Sequence, residues 1–343
     1  MNPTPKILAL ETAIPKVKLS QEVLCAELAR VLELNDAEKS QQERIFMGAA
    51  VESRYAVTND FKRTTLNIHE RNEVYKEHAP TLAEEAGNKA LLSWGKDRSE
   101  ISHIISVSCT GMYAPGLEYL LIDTLGLRRD IQRYGLNFMG CFGAIRGLAL
   151  ASALVQQNPN HKVLLLCTEL CSLHLQREKR PEAYVSNALF ADGAGAAIVG
   201  VEESALFELS NFHSYAIPKT LNEMTWEVSA HGFLMKLSRG VPAYLSGDIR
   251  RAVDGLLGNY TDLDGCDLAF HPGGKGILNS LAETLGIQGE RMQASWDVLQ
   301  KYGNMSSATL LFVLKALQPK KKWCASLAFG PGLSVEGMLL KKC

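Results

Sequence analysis

A chain of 343 residues, 46% hydrophobic and 21% charged, holds enough apolar material to close a large core without disulfide or metal staples. Its 36 Lys and Arg nearly cancel its 37 Asp and Glu, and no basic stripe with interleaved aromatics runs through it, which argues against nucleic acid or a membrane surface as partner. No run is apolar for long enough to span a bilayer, and Met1–Lys6 leads into an apolar stretch too short for an export signal, so the expectation is a soluble cytoplasmic enzyme whose eight cysteines stay reduced.

In chain order, helix-spaced apolar residues occupy Glu22–Leu34 and Leu82–Trp94, and a short buried-strand run follows at His103–Cys109. Tyr134–Phe138 predicts a strand leading through Gly140-Cys141-Phe142-Gly143 into an apolar helix, Ala144–Gln157, with further strands at Val163–Cys167 and Ala196–Val201. The rest of the chain echoes this order. Strand Asp267–His271 leads to helix Ile277–Leu285, Asn304 opens a helix over Ser306–Leu317, and strand Cys324–Phe329 follows. With no linker, repeat or low-complexity tract, the pattern predicts one α/β body of two pseudo-duplicated halves, 1–205 and 206–343.

Three places could carry chemistry. Cys141 stands between glycines at a strand-to-helix junction, where a sharp turn and the positive end of a helix dipole favour a thiolate. His271 ends an apolar strand just before Pro272-Gly273-Gly274, at the sort of strand terminus that faces a crevice. Asn304 precedes a helix with Ser306 and Ser307. Taken singly, these are a small core residue, a strand-end histidine and a helix cap; taken together they suggest acyl transfer on a cysteine. A thiol protease would use the same residue types, but the cysteine-flanking signature of that class and an export signal are both lacking. No His/Cys spacing suits zinc, and no glycine-rich phosphate loop is present.

Read in order, Arg54-Tyr55, Ser108-Cys109-Thr110-Gly111 with Pro115-Gly116, Gly140-Cys141-Phe142, Ala188 to Ala194, His271 to Gly274, Tyr302 to Ser307 and Phe329-Gly330-Pro331-Gly332-Leu333 resemble the type III polyketide synthases. These are the chalcone and stilbene synthase family of the thiolase superfamily, and the resemblance spans nearly the whole chain. It implies a five-layered αβαβα thiolase-type fold and a homodimer. It also implies iterative decarboxylative condensation of malonyl-CoA onto an acyl-CoA starter held on Cys141, followed by cyclisation to a small aromatic or pyrone. By the same resemblance Cys141, His271 and Asn304 are catalytic. His271 would hold the thiolate as an ion pair and, with Asn304, would donate to the enolate oxygen. No cofactor is implied, coenzyme A thioesters being substrates.

Family position assigns substrate contacts to Cys109, His174, Phe190, Trp226, Met235, Ser306, Gly330, Pro331 and Gly332, and coenzyme A contacts to Arg44 and Lys275. Departures from the plant pattern are Gln41 and Gly48 where basic residues stand, Trp226 where chalcone synthases carry glycine, Cys109 and His174 for threonines, and Met235 for the second gatekeeping aromatic. Ala114 falls where plant members lend a methionine across the dimer. A bulky Trp226 should shrink the cavity. Two rivals stay open: a ketoacyl synthase performing a single condensation, and a non-catalytic thiolase-fold binding protein.

Overall fold

The computed structural model describes residues 4–238 and 240–343; the first three residues of the expected first half lie outside them. Strand β1 (Lys6–Ala13) is followed by a small ribbon of β2 (Val17–Ser20) and, further on, β3 (Ser53–Ala56). Between them lie α1 (Gln21–Val31) and α2 (Asp36–Gly48), opened by side chains that satisfy free helix amides: Ser20 accepts from the Val23 N–H, and Asn35 exchanges bonds with Glu38. Helix α3 (Ile68–Trp94) runs for 27 residues, so the expected Leu82–Trp94 is only its second half. It passes through Pro80 because Arg71, Tyr75 and Ala79 before the proline and Leu82, Ala83 and Ala86 after it bury one continuous face.

The first half continues with β4 (His103–Ser108), α4 (Leu117–Thr124), β5 (Gln132–Asn137), α5 (Gly143–Gln157), β6 (Val163–Leu170), α6 (Pro181–Leu189) and β7 (Asp192–Gly200). The second half has β8 (Phe207–Ala216), the hairpin β9 (Met224–Ser229) and β10 (Gly232–Leu237), α7 (Val241–Leu257), β11 (Cys266–Phe270), α8 (Lys275–Leu285), α9 (Gln293–Tyr302), α10 (Thr309–Ala316), β12 (Trp323–Gly330) and β13 (Ser334–Lys342). The helix expected from Ser306 opens as a tight 3₁₀ turn over Ser306–Ala308 and becomes α-helical only at Thr309.

Among the described residues one nine-stranded sheet runs β11-β12-β13-β8-β1-β7-β6-β4-β5. Its two parts match. Strand β4 pairs parallel with β6, and β6-β7-β1 are antiparallel; β11 pairs parallel with β12, and β12-β13-β8 are antiparallel. Helix α5 precedes β6 as α10 precedes β12, which is the topological form of the pseudo-duplication. Among the described residues the parts join through two residue pairs, Lys6 with Glu208 and Ile7 with Phe207.

Layering follows from what each helix covers. Helix α3 lies on β1, β6 and β7, while α7 lies on β8 and β13 with α8 against it. Between the half-sheets, α5 touches β4, β6, β7 and β13, and α10 touches β1, β7 and β11. That gives helix, sheet, helix, sheet, helix, with both central helices in the main core. Strand β7 begins four residues before the predicted Ala196, because its glycines let α10 close in: a Cβ on Gly195 would lie 2.8 Å from the Leu311 Cβ.

Candidate active site

The nucleophile stands where β5 hands over to α5. Gly140 turns the chain with φ +79, a left-handed conformation, and a Cβ there would fall 2.4 Å from the Pro331 Cδ. Glycine is therefore required twice, once by conformation and once by space. The turn from Gly330 to Gly332, which links β12 to β13, is thereby pressed onto the nucleophile's own corner. Phe142 packs beside Gly330, where a Cβ would meet its Cδ1 at 2.5 Å, and Gly332 (φ +84) donates its N–H to the Met224 carbonyl. The Gly140 N–H donates to the Cys109 Sγ at 3.0 Å, so the two cysteines share one corner.

Cys141 is buried, and burial pushes its thiol up to about 12, against which the Ser306 and Asn304 side chains and its own amide pull it back. His271 follows β11 and is anchored by its backbone N–H on the Leu327 carbonyl at 2.7 Å. Among the described residues neither of its ring nitrogens has a hydrogen-bond partner, and burial pushes the imidazole down to about 3. Burial thus works against the expected thiolate–imidazolium pair from both sides, raising the thiol and lowering the imidazole and so favouring the neutral forms in the free site.

Asn304 enters from the second half. Gly303, at φ +71 and with the Leu189 carbonyl 2.8 Å from where a Cβ would be, allows the chain to turn in. The Asn304 N–H then donates to Leu189 O and its carbonyl accepts from Ala191 N–H, both at 2.9 Å. Its Oδ1 accepts from the Ser306 N–H at 2.8 Å, which turns the amide nitrogen outward, within 3.5 Å of the Gly273 carbonyl in the loop after His271. Ser306 itself has φ +48. Asn304 thus lies between the sulfur and the histidine's loop, as an amide donor rather than a helix cap.

A cavity of about 20 Å³ adjoins the sulfur, lined by Cys109, Phe190, Trp226, Met235, Ser306 and Pro331 among others. That is room for about one water molecule. Trp226 forms much of the wall and is pinned by its Nε1–H on the Cys109 carbonyl at 2.7 Å, with Met235 its cross-strand partner. His174 does not line the cavity; it backs it. Its ring meets Trp226 edge-on and stacks on Phe233 at 4.4 Å, its Nδ1 accepts from the Phe233 N–H, and its Nε2–H therefore donates to the Thr110 carbonyl. A separate cleft of about 390 Å³ brings together Arg44, Gly48, Gly273, Lys275 and the apolar Val185, Leu189 and Leu237. The two expected coenzyme A contacts thus share one mouth, beside the loop that follows His271.

Sequence reasoning passed over Glu169, a fully buried carboxyl near the end of β6. It accepts from the Cys109 N–H at 2.9 Å, from Thr110 Oγ1 at 2.8 Å and from the Ser307 hydroxyl, tying the end of β4 to the turn after Asn304. Burial raises its pKa. One charged residue in an otherwise apolar strand was the signal. Asp192 was visible inside a motif but had no task. It accepts from the Ser172 N–H and hydroxyl and from the Val57 N–H, fixing the turn that carries Cys171 and His174.

Comparison with known proteins agrees with this architecture. The family models for chalcone and stilbene synthases match their N-terminal domain to residues 2–203 and their C-terminal domain to residues 208–343. The chain is 33% identical over 356 residues to a probable polyketide synthase 1 of Dictyostelium discoideum, covering 98% of this chain but only 11% of that much longer protein. It is 32% identical to type III polyketide synthase A of Arabidopsis thaliana, covering 98% of this chain and 92% of that one. Among solved structures, the C-terminal type III polyketide synthase domain of Steely1, a type I/III hybrid from Dictyostelium, superposes with a TM-score of 0.95 at 32% identity, covering 99% of both chains. The chain belongs to the chalcone and stilbene synthase family of type III polyketide synthases.

Proposed function

We propose that this synthase loads an acyl group from coenzyme A onto Cys141 and extends it with malonyl-CoA by decarboxylative Claisen condensation. What carries the reading is the Asn304 amide held between the Cys141 sulfur and the loop after His271, where an enolate oxygen would need a donor. With burial favouring a neutral thiol and a neutral imidazole at rest, His271 acts as base when a thioester enters: the thiol proton passes to its ring as sulfur attacks the acyl carbon and coenzyme A leaves as its thiol. Malonyl-CoA then loses carbon dioxide, and the imidazole N–H and the Asn304 amide hold the enolate oxygen. The enolate carbon attacks the Cys141 thioester and releases the sulfur, leaving the chain two carbons longer on coenzyme A. No further cofactor enters these steps.

Arg44 and Lys275 hold the phosphates of coenzyme A at the mouth they share, while its apolar wall takes the pantetheine arm. With only about 20 Å³ beside the sulfur, growth displaces Met235 or stops early, so we propose few extensions and a small ring, an aromatic or a pyrone. That same tightness keeps a single-condensation ketoacyl synthase as the second reading. A non-catalytic binding protein has less support, since leaving His271 buried and unpartnered costs stability without return. We further propose a cytoplasmic homodimer. The open edge of β5 and the exposed Met112, Tyr119 and Leu120 near it suit a second copy, and eight unpaired thiols suit a reducing compartment.

The test is intact-protein mass after incubation with a panel of acyl-CoA starters, followed by mass spectrometry of products once malonyl-CoA is added. Acyl adducts on the wild type, none on Cys141→Ala, and products two or more extensions longer than the starter are expected. Products of a single extension would favour the ketoacyl synthase, and adducts persisting on Cys141→Ala would remove the nucleophile.

A further inference from the structure

Arg54, on β3, is 1% exposed and lies behind the site rather than in it. Its guanidinium gathers the end of α6. One nitrogen donates to the carbonyls of Asn187 at 3.0 Å and Phe190 at 2.7 Å; the other donates to Ala188 O at 2.6 Å and to the Gln21 side chain. Helix termini leave carbonyls without partners and carry negative partial charge, so a buried cation there satisfies both needs. Gln21 in turn donates to the carbonyls of Phe46 and Ala188, which fixes the face that it offers the guanidinium.

The strip Asn187–Ala191 has a second edge, and that edge holds Asn304. Leu189 O and Ala191 N–H bond the Asn304 backbone, while the Phe190 side chain lines the cavity opposite Trp226. Guanidinium, strip and Asn304 backbone are therefore linked by successive hydrogen bonds. The Arg54 Cβ also stands 3.8 Å from where a Cβ on Gly303 would be, directly behind the turn that brings Asn304 in. Cys141 and His271 hang on other supports, the head of α5 and the end of β11.

We propose that Arg54 is a positioning residue for chain extension: by clamping the Asn187–Phe190 carbonyls it sets the Asn304 amide and the Phe190 ring, and it leaves acyl loading on Cys141 untouched. The inference rests on the reading of Cys141 as acyl carrier. A small displacement of a donor is enough to matter, since misplacement of about 1 Å can cost roughly 10²-fold in rate.

The test separates the two half-reactions in full-length enzyme. Acyl loading is followed by intact mass in a single turnover, and extension by product release from the loaded enzyme with malonyl-CoA. In Arg54→Lys, whose ammonium cannot span three carbonyls, extension should fall about 10- to 100-fold. Loading should stay within about twofold of wild type, and products of fewer extensions should gain share as Phe190 loses its fixed place. Gln21→Met keeps the guanidinium but removes its orienting acceptor, and should show the same split at smaller size. It decides the matter if Arg54→Lys does not fold. Parallel losses in loading and extension would mean a structural role only, and equal rates to wild type in both would remove the role altogether. A wild type that never loads would instead sink the proposed function, and this inference with it.

Discussion

At the head of α5 the polar groups around Cys141 are supplied with partners: Gly140 donates to Cys109, Trp226 donates to the Cys109 carbonyl, and Glu169 gathers four donors behind them. At the end of β11 the backbone of His271 is equally well tied, yet its ring touches no donor or acceptor among the described residues. Both corners are buried, so burial is not what distinguishes them. One corner is a finished socket for sulfur, built by residues of both halves, and the other leaves one imidazole open for what arrives. A preformed socket with one unmet donor is what differential stabilisation of a transition state requires.

The largest expected effect comes from removing the donor that bridges the two corners. Asn304→Ala should slow malonyl-CoA decarboxylation by about 10²–10³-fold, the usual cost of one oxyanion donor, while acyl loading persists. Carbon dioxide release measured beside intact mass checks both parts, and unchanged decarboxylation would strip Asn304 of its role. Next is the socket itself. Gly140→Ala places a methyl 2.4 Å from the Pro331 Cδ at φ +79, and should lower unfolding stability by about 2–3 kcal/mol in urea titrations. A loss under about 0.5 kcal/mol would show that the Gly330–Gly332 turn can give way.

These effects also mark what the sequence could and could not reveal. Strands such as Cys266–Phe270 and Trp323–Gly330 were legible because apolar runs bounded by turn residues leave few alternatives, and Cys141, His271 and Asn304 were legible through their flanking glycines. The start of β7 was not, because Gly193-Ala194-Gly195 has no strand propensity and is chosen for the close approach of α10. Glu169 was hidden for a related reason: its donors, Ser108, Cys109, Thr110 and Ser307, stand 61, 60, 59 and 138 positions away. The charge states at the site were not legible because a helix terminus argues for a thiolate, whereas full desolvation argues against one, and only the folded surroundings weigh the two.

Two buried histidines sharpen the contrast further. His174 has both nitrogens satisfied, by the Phe233 N–H and the Thr110 carbonyl, whereas among the described residues His271 has neither. Burial lowers both to about 3. Replacing His174 with Leu leaves a buried amide and carbonyl unpaired, and at pH 7.5 should cost about 2 kcal/mol in a urea titration. A neutral outcome would mean that those groups find new partners.

The smallest effect should have the opposite sign. His271→Leu removes an imidazole whose hydration is lost and not replaced, so at pH 7.5 the variant should gain about 1 kcal/mol while losing extension activity. Its pH dependence follows from linkage. With a folded pKa near 3 and an unfolded value near 6.5, wild-type His271 binds no proton when folded but takes one up on unfolding below pH 6.5. Wild-type stability therefore falls relative to the variant as pH drops through that window, by about 1.4 kcal/mol per unit, and the variant's advantage should reach roughly 2 kcal/mol by pH 5.5. Comparing variant with wild type cancels the opposing contribution of Asp192, whose carboxyl burial raises to about 6 in both. His174→Leu should show the same drift from the other side of zero, its cost shrinking as pH falls. If the His271→Leu advantage instead shrank as pH fell from 7.5 to 5.5, the imidazole would already carry a proton in the folded enzyme, and a flat profile would put its folded pKa at the unfolded value; either result would overturn the neutral resting pair with Cys141.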